Sequence, residues 1–203
     1  DLELIYQAEY EVDPVDGTAD ESNGHTLKQR NTFVGFKGSL GTLFLGTHDT
    51  AFRKSQAKID LFNDLAGDIK NILEGENRLS ELVGFTTPVF SKNFSVTFNM
   101  IKGKDGLDDA SSFSLNYKTS NIYAALALDS KVKGYDSYRV SFQIPLNKAK
   151  LGLMYQTSKK VNKGNNEEGY VVSLSRNITN KGIIKLQLAE SNLKQVSGKQ
   201  KTF

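Results

Sequence analysis

The sequence predicts an all-β protein, and more specifically an antiparallel up-and-down transmembrane β-barrel with about eleven strands. Three observations lead to this prediction. Apolar and polar residues alternate along many segments, these segments are about eight to twelve residues long, and the connections between them are alternately long and short. Strands of ~9–11 residues are what a tilted crossing of a bilayer requires, whereas most strands of soluble proteins have about five or six.

The predicted strands follow one another along the whole chain. In the first of them, Leu2, Leu4 and Tyr6 alternate with Glu3 and Gln7, so that one side of the strand is apolar and the other is polar. The same alternation predicts strands at residues 1–12, 29–37, 41–48, 79–86, 94–100, 112–118, 121–129, 137–144, 149–157, 168–176 and 182–190.

The connections between these strands support a barrel. Short turns, such as Gly38–Gly41 and Asn147–Lys148, occur at every second connection. Outer-membrane barrels have short turns at the periplasmic end and longer loops at the extracellular end. The apolar side of each strand would then face lipid, and the polar side would face a water-filled lumen. The long connections are predicted at residues 13–28, 49–78, 102–111, 130–136, 158–167 and 191–199.

Two other classes of protein fit part of this pattern. Alternating strands also build soluble β-sandwiches, so a soluble binding or adhesion module is the main alternative. A sandwich would bury the apolar sides of the strands between two sheets, whereas strand length and the rhythm of the connections favour the barrel. A barrel with enzymatic activity would need a nucleophile, a histidine and an acid brought together. His25 lies in a polar loop, and His48 lies at a strand end beside Asp49 without a third partner, so the placement of the two histidines argues against this alternative.

The composition excludes several other functions. Lys and Arg number 26 and Asp and Glu 23, which gives a net charge of +3 without a basic stripe, so no nucleic-acid partner is expected. With no Cys and only two His, the chain is poorly suited to thiol catalysis or a zinc site. We expect no metal, no cofactor and no catalytic residue. The acidic stretch 13–20 lacks EF-hand spacing, and whether the loop at 13–28 binds Ca²⁺ stays open.

The connection at 49–78 breaks the pattern. It is too long for a passive turn, and loops of this length are usually functional or disordered. Ile59, Phe62 and Leu65 recur at helical spacing, which predicts a short helix within residues 55–68. Because these apolar residues can anchor it, we expect an ordered segment that folds back against the rest of the protein.

Three carboxylates lie in the same predicted helix. Asp60, Asp64 and Asp68 are spaced i, i+4 and i+8, so a helix would place them along one stripe. Such a stripe is either a functional row of acids or the solvated face of a surface helix, and the spacing alone does not distinguish these.

The two strands before this segment carry a resemblance to a known family. The runs Arg30–Gly38 and Gly41–Thr50, followed by Ile59–Asp64, resemble the general diffusion porins of Gram-negative bacteria. In that family a strand, a tight turn and a second strand lead into a long loop that folds inward and narrows the pore. The resemblance extends through the strand at Arg78–Pro88 and is more diffuse beyond it.

The resemblance implies a water-filled trimeric barrel of roughly sixteen strands in the outer membrane of a Gram-negative bacterium. It would pass small hydrophilic solutes and ions passively, and its partners would be the lipid bilayer and, in a homotrimer, copies of the same chain. On this interpretation residues 1–203 are a single barrel domain that is incomplete at both ends, and residues 49–78 form the constriction loop.

The family sets acidic residues of the loop against basic residues of the barrel wall at the narrowest point of the pore. The resemblance makes Asp60, Asp64 and Asp68 the acidic candidates, although Thr47 stands where many relatives have arginine. For each basic candidate, a solvated lumen charge is an equally good interpretation, and cation or anion preference is left undecided. The basic candidates are Arg30, Arg78, Arg53, Arg139 and Lys185.

Overall fold

The structure is a computed structural model that describes residues 1–12, 26–103, 108–161 and 166–192, together with the backbone of residues 200–202. His25 and most of the loop predicted at 13–28, including the acidic stretch considered for Ca²⁺ binding, lie outside the described residues.

All the strands belong to one antiparallel sheet, in which they are hydrogen-bonded in the order of the chain. They are β1 Glu3–Val12, β2 Leu27–Gly38, β3 Gly41–Asp49, β4 Arg78–Thr86, β5 Phe94–Ile101, β6 Ala110–Lys118, β7 Tyr123–Val132, β8 Tyr135–Leu146, β9 Ala149–Lys160, β10 Asn166–Asn177, β11 Ile183–Ser191 and β12 Gln200–Thr202. Between β3 and β4 lie the short helix α1 at Ala51–Lys54 and a 3₁₀ helix at Ile69–Asn71.

Strand length and topology confirm the predicted fold. β1 to β11 contain eight to twelve residues each, and every strand pairs with its neighbours in the chain in an antiparallel register. The three residues of β12 pair with Ala189–Ser191 at the end of β11. The described sheet is an up-and-down meander, which is the topology of outer-membrane barrels.

One predicted connection is wrong. The long link expected at residues 130–136 is a two-residue turn, because Val132 of β7 pairs with Tyr135 of β8. Lys133 and Gly134 between them have φ values of 52° and 80°, and a tight hairpin turn of this type requires positive φ at both positions. The polar residues that suggested a loop here belong to the ends of the two strands.

The two faces of the sheet differ as the alternation predicts. Large apolar side chains are exposed on one face, and small polar side chains are buried on the other. The exposed ones include Val34, Leu45, Leu126 and Leu186, and the buried ones include Asn99, Ser112, Ser141 and Ser173. In the described part of the chain no second sheet covers the apolar face, so the arrangement of a soluble β-sandwich is not found. None of the described helices is long and apolar enough to cross a membrane.

Residues 50–77, which we call the inner segment, lie against the polar face. Their apolar side chains form a small core with β9, β10 and β11. Two glycines of the sheet permit this approach, because a Cβ on Gly152 would lie 3.2 Å from Ile59 Cγ1, and one on Gly169 would lie 2.5 Å from Leu73 Cδ2. The members of the core are Ile59, Ile69, Ile72, Leu73, Met154, Val171 and Ala189.

An exposed leucine of the apolar face can distinguish contact with lipid from contact with water. Leu126 of β7 is 53% exposed, and Leu126→Arg places a charge against hydrocarbon well inside a strand. We expect the free energy of unfolding to fall by about 2–4 kcal/mol, measured by denaturant unfolding in lipid vesicles. The control is Leu40→Arg, since Leu40 is 85% exposed in the turn between β2 and β3. Equal stability of the two variants would contradict lipid contact.

Candidate functional site

The backbone of the inner segment does not form the predicted helix. α1 ends at Lys54, and residues 55–68 form a series of turns and bends. Ala57 and Asp64 have φ values of 52° and 63°, in the left-handed region that an α-helix does not contain. The prediction of a helix over 55–68, with three carboxylates on one stripe, is therefore wrong.

Side chains of the sheet hold the inner segment in place. Polar groups on six strands, β5 to β9 and β11, bond directly to its backbone, so the segment crosses the inner face of the sheet. The bonds run from Ala51 N–H to Asn99 Oδ1 (2.6 Å), from Phe52 N–H to Ser112 Oγ (2.9 Å), from Tyr123 O–H to the Ser55 carbonyl (3.0 Å), from Arg139 Nη1 to the Phe52 carbonyl (3.2 Å), from Gln156 Nε2 to the Glu74 carbonyl (2.7 Å), and from Gln187 Nε2 to the Gly67 carbonyl (3.1 Å).

A deeply buried ion pair joins the sheet to the inner segment. Arg139 Nη2 lies 2.7 Å from Glu76 Oε1, and the two side chains are 0% and 4% exposed. The guanidinium also lies 4.2 Å from the centroid of the Phe52 ring and donates to Gln156 Oε1 at 2.9 Å. Burial raises the pKa of Glu76, while the nearby Arg139 charge opposes that rise. Arg139 thus lies beneath the inner segment rather than on the open lumen, and it positions the segment.

Asp64 is the predicted acid that faces the wall. Its side chain is 53% exposed, and its Oδ2 lies 4.0 Å from Arg30 Nη2 on β2. Arg30 is held from the other side by Glu9 at 2.8 Å and Glu11 at 3.2 Å, both on β1. An acid of the segment and a base of the sheet therefore face each other in water.

Asp60 is buried and stabilises the fold of the inner segment. It is 7% exposed and accepts hydrogen bonds from the backbone N–H groups of Phe62 and Ile69 and from Gln187 Nε2. Burial raises the pKa of Asp60, and these three hydrogen bonds oppose the rise. Because a side chain that bonds to nearby backbone competes with helical bonding, Asp60 also favours the turns observed here.

Asp68 caps the 3₁₀ helix. Its carboxylate accepts hydrogen bonds from the N–H groups of Lys70 at 2.8 Å and Asp64 at 2.7 Å, and Lys70 Nζ lies 3.1 Å away. Burial alone would raise the pKa of Asp68, but these hydrogen bonds and the Lys70 charge lower it below its ordinary value. Asp68 therefore fixes the turn that presents Asp64.

A second cluster of charges lies where the inner segment leaves and rejoins the sheet. Arg78 Nε on β4 is 2.9 Å from Asp49 Oδ1, and Arg53 Nη1 on α1 is 3.2 Å from the same atom. Sequence reasoning missed both Asp49 and Glu76. The i, i+4 spacing of Asp49 and Arg53 was a usable signal, whereas nothing near Glu76 in the sequence pointed to Arg139.

An open polar cavity of about 400 Å³ lies beside these charges. It has room for a hydrophilic solute, and five cationic and three acidic side chains surround it. Burial lowers the pKa of one of them, Lys54. The charged lining residues are Glu9, Arg30, Asp49, Arg53, Lys54, Lys58, Asp60 and Arg78.

The remaining candidates lie apart from this cavity. His48 packs with its ring centroid 5.1 Å from that of Phe33 and 4.5 Å from that of Phe44, and its Nδ1 lies 2.6 Å from the Asp49 carbonyl oxygen. Lys185 is exposed on β11 and lines a second cavity nearer the short turns. Within the described ranges, no group of three or more His, Cys, Asp or Glu residues could hold a metal ion.

Comparison with known proteins identifies the family. The family model described as Gram-negative porin matches residues 1–203. The chain belongs to the Gram-negative porins. It is accordingly a channel of the Gram-negative outer membrane, through which small hydrophilic solutes diffuse. None of the curated proteins matches the sequence.

Solved porin structures have the same fold as this porin. The anion-selective porin from Comamonas acidovorans has a TM-score of 0.78 at 20% identity, over 98% of this chain and 67% of that chain. OmpF of Salmonella typhi, solved in complex with daunomycin, has a TM-score of 0.75 at 15% identity, over 98% and 70% of the two chains. An in-vitro folded trimer form of Vibrio cholerae OmpT has a TM-score of 0.54 at 11% identity, over 86% and 63%.

Removing Arg139 should release the inner segment. Arg139→Met keeps an unbranched stem but removes the closest charged partner of Glu76, which retains Gln56 at 2.9 Å and Arg53 at 3.8 Å. Breaking a buried pair completely costs about 3–5 kcal/mol, so the cost here is at most of that size. We expect hydrogen exchange, measured by mass spectrometry, to become faster in peptides from residues 50–77. Lys150→Met removes an exposed charge from the same face of the sheet, at a position with no hydrogen bond to the inner segment among the described residues, and serves as the control. Equal exchange in the two variants would show that the pair does not hold the segment.

The cap formed by Asp68 should depend on pH. Because the folded pKa lies below the ordinary value of 3.8, the contribution of Asp68 to stability is complete above that value and is lost as the pH falls through the folded pKa. Asp68→Ala should therefore weaken protection of the Asp64 and Lys70 amides at neutral pH by about 1 kcal/mol. Asp68→Asn keeps a capping oxygen and should have a smaller effect. The idea fails if the difference between wild type and Asp68→Ala stays constant as the pH is lowered past the pKa.

Proposed function

We propose that the inner segment is the constriction of this porin, and that it sets the size limit and the charge selectivity of passive diffusion. The observation that carries the proposal is the pair formed by Asp64 and Arg30, whose charged atoms lie 4.0 Å apart beside the 400 Å³ cavity. Asp64 belongs to the segment and Arg30 to the sheet, so a solute in the cavity passes beside an acid and a base that are carried by two different elements.

Opposite charges beside a narrow water-filled passage create a local electric field in the path of a solute. At 4 Å, two unit charges interact by ~1 kcal/mol in bulk water and by ~4 kcal/mol at the effective dielectric constant near a protein surface. The field orients water and dipolar solutes, so polar molecules cross while apolar molecules meet a desolvation barrier. Charged side chains around a pore also bias the choice of ion. No bond is made or broken, and we propose that the channel has no enzymatic step.

The roles of the other charges follow from their positions. Arg78 and Arg53 share Asp49 at the rim of the cavity, where their partly compensated charges contribute to the field. Asp60 and Asp68 act on the shape of the inner segment, because both are buried and bonded to its backbone.

We further propose that the porin is a homotrimer in the lipid bilayer. The family match and the fold likeness to Vibrio cholerae OmpT, which has a solved trimer form, support this assembly. The exposed apolar face of the sheet is suited to contact with both lipid and neighbouring copies. Analytical ultracentrifugation in density-matched detergent gives the mass of the assembly, and a monomeric mass would contradict the proposal.

Changing Asp64 should alter ion selectivity. Asp64→Asn removes the exposed negative charge opposite Arg30 and keeps the volume of the side chain, so we expect the reversal potential in a salt gradient to shift toward anion preference. The measurement uses protein purified from outer membranes and inserted into planar bilayers. Asp136→Asn is the matched control, because Asp136 is an exposed acid of β8 beside the Lys133–Gly134 turn.

The results of this measurement test the role of Asp64 and the channel function separately. A reversal potential that is the same in wild type and in Asp64→Asn would remove Asp64 from the constriction. A wild-type protein that inserts but conducts no ions would contradict the channel function itself.

A further inference from the structure

A second cavity, of about 470 Å³, lies between the inner segment and the strands β9 to β11. It is nearer the short turns than the first cavity, since its lining includes Lys148 of the turn between β8 and β9 and Asn177 at the end of β10. In outer-membrane barrels the short turns are at the periplasmic end. The cavity therefore lies on the periplasmic side of the proposed constriction.

Two of the lysines that line this cavity lie in one row across the strands β9 to β11. Lys150 of β9 pairs with Ser175 of β10, and Ser175 pairs with Lys185 of β11. All three side chains line the cavity. Neighbouring strands are ~4.8 Å apart, so the two lysine Cα atoms are roughly 10 Å apart with a hydroxyl between them. Long lysine stems can bring both ammonium groups to one ligand over that distance.

Two further lysines approach from other elements. Lys58 comes from the inner segment, where Gln143 Nε2 donates to its carbonyl oxygen at 3.1 Å and so fixes its backbone to β8. Lys148 comes from the short turn between β8 and β9. Lys185 itself donates to the Leu61 carbonyl at 3.3 Å, which draws its ammonium toward the segment. Four lysines from four elements therefore line this water-accessible cavity.

Within the described ranges, these cations have little compensating charge. Among the described residues, none of the four lysines has a carboxylate oxygen within 4.0 Å. Asp60 is the acid of the described lining, and its oxygens already accept three hydrogen bonds from the segment and from Gln187. The first cavity differs, because its arginines are paired with Glu9 and Asp49. Four positive charges against one negative charge leave an excess of three around the second cavity.

We propose that the second cavity is a binding subsite for small multivalent oxyanions on the periplasmic side of the constriction. Lysine binds phosphate as a point charge, and the Ser175 hydroxyl and the Asn63 and Asn177 amides can donate to the remaining oxygens. The subsite rests on the proposed function, because it assumes a lumen filled with water and takes its place relative to the proposed constriction. It holds multivalent anions next to the constriction and so raises their local concentration over that of monovalent anions.

Phosphate binding tests the subsite without relying on conduction. The probe is inorganic phosphate, and the readout is broadening of its ³¹P resonance by protein purified from outer membranes in detergent. In Lys150→Gln/Lys185→Gln we expect the half-saturating phosphate concentration to rise about tenfold, which corresponds to ~1.4 kcal/mol. Lys181→Gln is the matched control, because Lys181 is an exposed lysine of the neighbouring turn outside the cavity lining, and it should bind phosphate as wild type does.

Each outcome bears on one of the two proposals. Equal broadening in wild type and the double variant would overturn the subsite, as would an equal loss in Lys181→Gln, since the effect would then be one of net charge. Conductance in KCl, recorded on the same preparations, tests the channel separately. Conduction without phosphate binding overturns the subsite alone, and phosphate binding without conduction supports the subsite while overturning the channel.

Discussion

Each strand of this sheet has lipid on one face and water on the other, and the rest of the structure depends on that constraint. Hydrocarbon offers no hydrogen bonds, so backbone N–H and C=O groups that face lipid must be satisfied within the sheet. The antiparallel pairings that connect β1 to β11 in chain order meet this requirement between neighbouring strands, apart from the irregular registers near Ala8–Tyr10, Gly46–His48 and Asp129–Val132. The alternation of side chains follows from the same constraint, since successive residues of a strand point to opposite faces.

The polar face of the sheet also binds the inner segment, whose backbone is irregular. Turns leave N–H and C=O groups unpaired, and buried groups of that kind are costly unless a partner is supplied. Asn99, Ser112 and Gln156 supply such partners to the inner segment, and Arg139 adds the buried ion pair with Glu76. The residues that make this face of the sheet hydrophilic are therefore also those that hold the inner segment in place.

Local sequence patterns were sufficient to predict the strands and their two faces, because alternation depends only on neighbouring residues. The same reasoning failed at Lys133–Gly134, where polar residues at the strand ends looked like a loop. It also failed for the helix at 55–68, because helical spacing of apolar residues says nothing about the positive φ values that interrupt it. Arg139 lies beneath Glu76 because the fold brings together residues that are far apart in the chain. No local sequence pattern contains that information.

The glycines at 152 and 169 determine how closely the inner segment approaches the sheet. Because glycine has no side chain, Ile59 and Leu73 pack close to the backbone of β9 and β10 at these two positions. A methyl group at Gly169 would meet Leu73 Cδ2 at 2.5 Å and displace the inner segment away from the sheet, whereas one at Gly152 would meet Ser173 Oγ first and Ile59 next. The distance between the inner segment and the sheet is thus set from behind the segment, without any change to the charged residues on its other side.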